Sequence, residues 1–251
     1  VWKVLLDKEF SAKLKIIKKD DETKKPVLVA GTEFKIYDLD HKKYVEQVTT
    51  YPTVTVHKSF FTDSQGYLIL PKHLEIGHYR IEEVTAPDGY VVNKNYVEIT
   101  VDSDTAYEVD GVSGDVIIEV SYEDQPVKGN LIVYKKGEML SGFENDFIYE
   151  EQYLSGAEFE VRAAEDICTP DHQKDADGNR IVLYAKDTLV TTITTGESGK
   201  AVAKDLPLGR YYVVETKAPE GFVLNPEPVT VALTYQDQET PVVEAEAMVG
   251  N

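Results

Sequence analysis

The chain has a single cysteine, Cys168, in 251 residues. No internal disulfide can therefore form, and an extracellular version of this protein must draw its stability from some other source. No apolar run reaches the length of a membrane helix. The opening VWKVLL is too short, and wrongly flanked, for a signal peptide. We therefore expect an excised segment of a longer chain, with no direct membrane insertion in this part of it. Basic residues are scarce, 26 Lys and Arg against 45 Asp and Glu, for a formal charge of -19. Such a surface repels phosphate backbones and anionic lipid, which argues against nucleic acid as a partner. Metal-ligand spacings such as H-E-x-x-H and phosphate-cradling glycine loops are missing as well. DADGN (175–179) reads as a turn, because its acidic spacing is not that of an EF-hand. No metal and no cofactor is expected. Cys168 has His172 nearby in sequence but nothing to orient it as a base, so it reads as an incidental loop thiol.

What the chain does have is repetition. AKLKIIKKD (12–20) returns as GNLIVYKKG (129–137), and VAGTEFKIYD (29–38) as LSGAEFEVRA (154–163). The stretch ending in YRIEEVTAPDGY (79–90) returns as YYVVETKAPEGF (211–222), and VIIEVSYED (116–124) aligns with VEAEAMVGN (243–251). Similar pieces in the same order over nearly the whole length imply two domains. Pro126 and Gly129 punctuate the join. The expected organisation is a linker or remnant of a preceding segment over 1–11, one domain over 12–126 and a second over 127–251.

Within each half the apolar period is two, and short alternating segments are separated by Gly, Pro, Asp and Asn clusters. This predicts an all-β protein of two tandem immunoglobulin-like β-sandwich domains without long helices. The second half carries an insertion around 163–187, AAEDICTPDHQKDADGNRIVLYAKD, polar enough to be a surface excursion.

The alternation is broken by charge at equivalent places. Lys18 continues the face of Leu14 and Ile16, Lys135 that of Leu131 and Val133, and Asp124 that of Val120 and Tyr122. Glu83 and Glu215 continue the faces of Tyr79 and Tyr211. Burying such groups unpaired costs several kcal/mol each, so they must pair, change protonation or react. Glu82, next to Glu83, should point the other way.

These residues carry a resemblance. KLKIIKKDDET, GTEFKIYD and EVTAPDGY are similar to the first strand, the G-A-x-F strand and the E-x-x-A-P-x-G-Y box of Cna B-type (SpaA-like) domains. Domains of that family build the stalks of Gram-positive surface adhesins and pilins. The resemblance extends over roughly 12–126 and 127–251. It implies a spontaneous isopeptide bond in each domain, between a lysine of the first strand and an Asn or Asp of the last, with the box glutamate as proton relay. Carried over by position, the first domain offers Lys18, Asp124 and Glu83, and the second offers Lys135, Asn251 and Glu215. Asp124 departs from the commoner Asn, and Asn251 is the last residue of the sequence. TTYPTV (49–54) lacks the lysine of the pilin-polymerising motif of that family.

The chemistry asks for these residue types. An amine attacks only when deprotonated, and burial favours the neutral forms of amine and acid alike. A neutral acid polarises the target carbonyl and passes protons to the leaving group, while folding supplies the proximity. The modification happens once per molecule, so the protein is not expected to be a turnover enzyme. The implied function is a rigid stalk segment of an extracellular, cell-wall-anchored adhesin or pilin-like protein, with neighbouring domains of a longer chain as its partners. The alternatives are a module binding a host or extracellular-matrix ligand, and an accessory domain of a secreted carbohydrate-active enzyme.

Overall fold

The computed structural model describes residues 9–250. Most of the expected linker 1–11 and the crosslink candidate Asn251 lie outside the described residues. Two compact units emerge, one formed by the chain up to Pro126 together with Asp171–Gln173, the other by Val127–Pro170 and the chain from Lys174 onward. No helix is present among the described residues.

In the first unit the strands that matter are β1 (Ser11–Asp20), β2 (Glu33–Asp38), β3 (Tyr67–Ile69), β4 (Gly77–Thr85), β5 (Val97–Val101) and β6 (Val116–Asp124). One sheet places β1 between β6 and β3, with β6 running parallel to β1. The other places β4 between β5 and β2. Leu14, Ile16, Phe34, Ile36, Ile81 and Tyr122 fill the space between the sheets, because strict alternation sends every second side chain to that face. Along β1 the buried face runs Ala12, Leu14, Ile16, Lys18, Asp20, so two charged residues end an otherwise apolar row.

The second unit repeats this plan with β7 (Lys128–Phe143), β8 (Phe147–Tyr153), β9 (Glu158–Ala163), β10 (Leu189–Thr194), β11 (Lys200–Pro207), β12 (Gly209–Lys217), β13 (Val229–Leu233) and β14 (Val242–Val249). β7 pairs with β14 in parallel and with β11 and β8 in antiparallel fashion. β9 lies between β10 and β12, and β13 follows on the far side of β12. Leu131, Val133, Phe159, Val161, Tyr211 and Val213 are buried.

The sequence reading missed the extension of β7 into a hairpin with β8. Both faces of β8 are exposed, so no burial alternation marks it. The insertion at 163–187 is only in part the polar surface loop expected of it. Ile167–Cys168 pairs with Val182–Tyr184, and Ile167 is buried against the domain. DADGN is a turn in which Asp175 Oδ1 accepts the backbone N–H of Asp177 (3.0 Å) and of Asn179 (2.9 Å).

Candidate functional site

In each unit the first and last strands lie side by side and parallel, and the register decides what can meet. Lys18 stands opposite Tyr122 and Asp20 opposite Asp124. Alternation then places Asp124 on the inward face one step beyond the lysine. In the second unit Lys135 stands opposite Val249, two residues before 251 in the sequence. That is the candidate Asn251, which lies outside the described residues.

The glutamate arrives from the facing sheet. Glu83 stands opposite Phe34 in the β2–β4 pair, and the register slips by one residue just beyond it. Glu215 stands opposite Phe159 with the same slip in the β9–β12 pair. A bulge at this point bends the strand and interrupts regular pairing beside the buried carboxylate, a placement bulges often have next to active sites.

In the first unit the three groups converge. Lys18 Nζ is 2.8 Å from Glu83 Oε1 and in contact with Asp124 Oδ1, and all three side chains have no exposed surface. The Tyr122 ring lies beside the amine, its centroid 4.9 Å from Nζ, and packs edge-on against Phe34 at 5.2 Å. These two rings keep water away and lower the local dielectric. Burial pushes the Asp124 carboxyl up to about 8, with Lys18 pulling it down and Glu83 pushing it up. Among the described residues Lys18 Nζ, Glu83 Oε1 and both Asp124 oxygens lack a partner in hydrogen-bond geometry. The ion pairs are close but poorly aligned, and an uncompensated buried polar group costs about 1–3 kcal/mol. Glu82 points the other way, as alternation requires. It is not free surface, since it accepts from Arg80 and from the Tyr44 hydroxyl.

In the second unit Lys135 Nζ is 3.0 Å from Glu215 Oε1, both side chains fully buried, and donates to the Gly250 carbonyl at 3.2 Å. The lysine and the glutamate are thus brought together in both units, and the third group is brought to them in the first.

Several supporting residues escaped the sequence reading. Lys18 N donates to Gly66 O (2.8 Å) and Lys135 N to Gly199 O (2.9 Å). Both glycines have positive φ, +80° and +66°. The repeated SQGY and ESGK turns held this signal. The box aromatic is matched to the residue two places after each lysine. Tyr90 donates to Asp20 Oδ2 at 2.7 Å, whereas Phe222 packs over Gly137, where an added Cβ would stand 2.6 Å from the ring. A hydroxyl-bearing ring faces a carboxylate in one unit, and a bare ring faces a bare backbone in the other. Asn93 and Asn225, ten residues after each glutamate, donate their backbone N–H to Glu83 Oε2 (2.8 Å) and Glu215 Oε2 (2.7 Å).

The family model, and one solved structure, agree with this architecture. The model of the SpaA family, described as a prealbumin-like fold domain, matches residues 12–114 and again 148–247. Among solved structures the chain is similar to the Bacillus anthracis TIE protein, with 22% identity, a TM-score of 0.56, and coverage of 97% of this chain and 34% of that one. A streptococcal ancillary pilin aligns at 23% identity with a TM-score of 0.34, over 96% of this chain and 63% of that one. BcpA, the major pilin subunit of Bacillus cereus, aligns at 14% identity with a TM-score of 0.35, over 96% and 99%. The chain therefore spans about a third of the length of the TIE protein and under two thirds of the streptococcal pilin. No curated protein matches it in sequence. The family model covers most of the chain in two successive segments, and on that ground the chain belongs to the SpaA family of prealbumin-like fold domains, present here as a tandem pair.

Proposed function

We propose that this chain is a stalk segment of a Gram-positive cell-surface adhesin or pilin-like protein, located outside the cell in a wall-anchored chain. Each of its domains is locked by an isopeptide bond that the domain makes itself. The observation that carries this reading is the fully buried contact of Lys18 Nζ with both Glu83 Oε1 and Asp124 Oδ1. Surface ion pairs need no such burial, and a buried trio with unsatisfied atoms gains by becoming an amide.

The step balances within the trio. A proton passes from the Lys18 ammonium to the Glu83 carboxylate, and the free amine attacks Cγ of the neutral Asp124 carboxyl. Glu83 lends its proton to the carbonyl oxygen while the tetrahedral centre forms. The Cγ–O bond then breaks, and the hydroxyl leaves as water with a second proton from the lysine nitrogen. The products are the Lys18–Asp124 amide, one water and a neutral Glu83, with no net change in charge. In the second domain the acceptor is proposed to be Asn251, and ammonia leaves in place of water. Neither reaction turns over.

The parallel pairing of first and last strands gives the bond its use. The chain enters β1 at one end of the domain and leaves β6 at the other. Tension applied to the two ends then runs along β1 to Lys18, across the amide and out after Asp124. The roughly 100 residues between the two positions are tied off, as in the closed loop of a disulfide. Neighbouring domains of a longer chain are the partners such a segment needs.

Intact mass under denaturing conditions tests the reading. We expect a mass about 18 Da below the sequence value for the first bond, and about 17 Da lower again for the second. An unmodified mass would overturn both bonds. Timing adds a pH signature. When chain recovered unfolded from inclusion bodies is refolded by dilution, the Lys18–Asp124 bond should form fastest below pH 8. Asp124, with its carboxyl raised to about 8, is the electrophilic acid below that value and the unreactive carboxylate above it. The rate should fall by about tenfold per pH unit beyond it, and a rate rising steadily to pH 10 would contradict the acid role.

A further inference from the structure

Asn93 makes the same set of contacts in the first domain that Asn225 makes in the second. Its backbone N–H donates to Glu83 Oε2, its side-chain Nδ2 to the Glu123 carbonyl at 2.8 Å, and its Oδ1 accepts the Asn95 N–H at 3.0 Å. Asn225 donates its backbone N–H to Glu215 Oε2 and its Nδ2 to the Gly250 carbonyl at 2.9 Å, and its Oδ1 accepts the Glu227 N–H at 3.1 Å. Glu123 and Gly250 immediately precede the two acceptor positions, 124 and 251. Each asparagine therefore holds the glutamate with its main chain and the acceptor strand with its side chain.

From this duplication we infer that Asn93 and Asn225 are positioning residues for bond formation, and the inference rests on the isopeptide reading above. The chemical reason lies in the two ends of the contact. A carboxylate whose Oε2 is held by an N–H has one oxygen left, Oε1, and that is the atom facing the lysine in both domains. The carboxyl plane is thereby fixed before reaction, when a freely rotating group would reach the productive orientation only part of the time. The Nδ2 contact fixes the other reactant, because pinning the Glu123 carbonyl sets the height of the next residue against Lys18. Backbone pairing strengthens the strap in the first domain, where Val91 N donates to Gln125 O at 3.0 Å. The hydroxyl of Tyr122, the ring beside the amine, lies within hydrogen-bond reach of the carbonyls of Asn93 (3.0 Å) and, closer still, Asn95, so the segment that Asn93 opens meets the glutamate, the acceptor strand and the shielding ring. The sequence signal is G-[YF]-V-x-N, GYVVN at 89–93 and GFVLN at 221–225.

Asn93→Asp tests this in the full chain, because it keeps the backbone N–H and the Oδ1 acceptor and replaces the Nδ2 donor by a carboxylate oxygen that the Glu123 carbonyl repels. Asn93→Ser, which keeps a short acceptor without the reach to Glu123, is the second variant should the first fold poorly. Both are refolded from inclusion bodies, and the Lys18–Asp124 crosslinked peptide is followed by mass spectrometry beside the melting temperature. We expect formation of this bond to slow about 10- to 100-fold, while the Lys135 crosslink in the same molecules forms at the wild-type rate. A parallel pair in a Lys18→Met background, where no bond can form, isolates any effect on folding stability alone. Wild-type kinetics in both variants overturn the inference and leave the isopeptide reading standing. An equal loss of melting temperature in both backgrounds with an unchanged rate does the same. A wild-type chain with no crosslink at Lys18 overturns both.

Discussion

Glu83→Gln will leave Lys18 and Asp124 unjoined and lower the melting temperature of the first domain by roughly 20 °C. The substitution keeps the shape of the side chain and an oxygen that can accept the Asn93 N–H now bound to Oε2. It removes the carboxyl, 2.8 Å from Lys18 Nζ, that is to take a proton and give it back while Asp124 serves as the electrophile. Without that relay the amine stays an ammonium facing Asp124 and is unable to attack. The size of the effect comes from the loop that is no longer closed. Tying off about 100 residues is worth about 4–5 kcal/mol in the chain-entropy account, and each kcal/mol moves the midpoint of a domain this size by about 4–6 °C. Intact mass and peptide mapping give the direct readout, with the Lys135 site as the internal control. Full crosslinking in Glu83→Gln would show that the proton travels another way.

Gly66→Ala carries the second large effect, and it tests the scaffold of the site. Gly66 has φ +80°, and an added Cβ would stand 2.3 Å from the Val27 carbonyl oxygen, a backbone atom that cannot swing aside. The left-handed conformation costs an L-residue about 1–2 kcal/mol, and relieving the overlap by moving strands costs about 1–3 kcal/mol more. A loss of about 2–5 kcal/mol follows, read as a melting temperature lower by roughly 10–25 °C in chain that has not yet crosslinked. The same shift displaces the Gly66 carbonyl that holds the Lys18 N–H, so bond formation should slow as well. Gly199→Ala should act alike in the second domain, where the Cβ meets Tyr153 Cβ at 2.7 Å and the Lys135 carbonyl at 3.0 Å. A Gly66→Ala chain that melts with the wild type would mean that the turn can be rebuilt without cost.

Much of the fold could be read along the chain because its signals are local. The period of two at Leu14, Ile16 and Lys18 marks a strand with one buried face whatever lies across from it, and the repeat of whole segments marks two domains. The glutamates stood out for the same reason, as charges where alternation calls for an apolar residue. Asn93 and Asn225 did not, since an asparagine in a polar connection looks like any other turn residue until the strand it straps is known. The hairpin of β7 and β8 went unseen because its exposed faces erase the alternation on which the reading depended. The pairing of Tyr90 with Asp20, and of Phe222 with Gly137, was equally hidden. The partners are 70 residues apart in the first domain and farther still in the second, and nothing local links them.

The amino-acid sequence by itself determined the all-β class, the duplication and the inward placement of Lys18, Glu83, Asp124, Lys135 and Glu215, since these follow from side-chain alternation and from matching one half against the other. The tertiary structure alone decided which of those charges meet. The parallel register of β1 with β6 sets Asp124 one step beyond Lys18, and the pairing of β4 with β2 sets Glu83 opposite Phe34 in the facing sheet. A slip of one residue in either pairing would turn one of these charged groups to the other face of its strand, because the side-chain period is two.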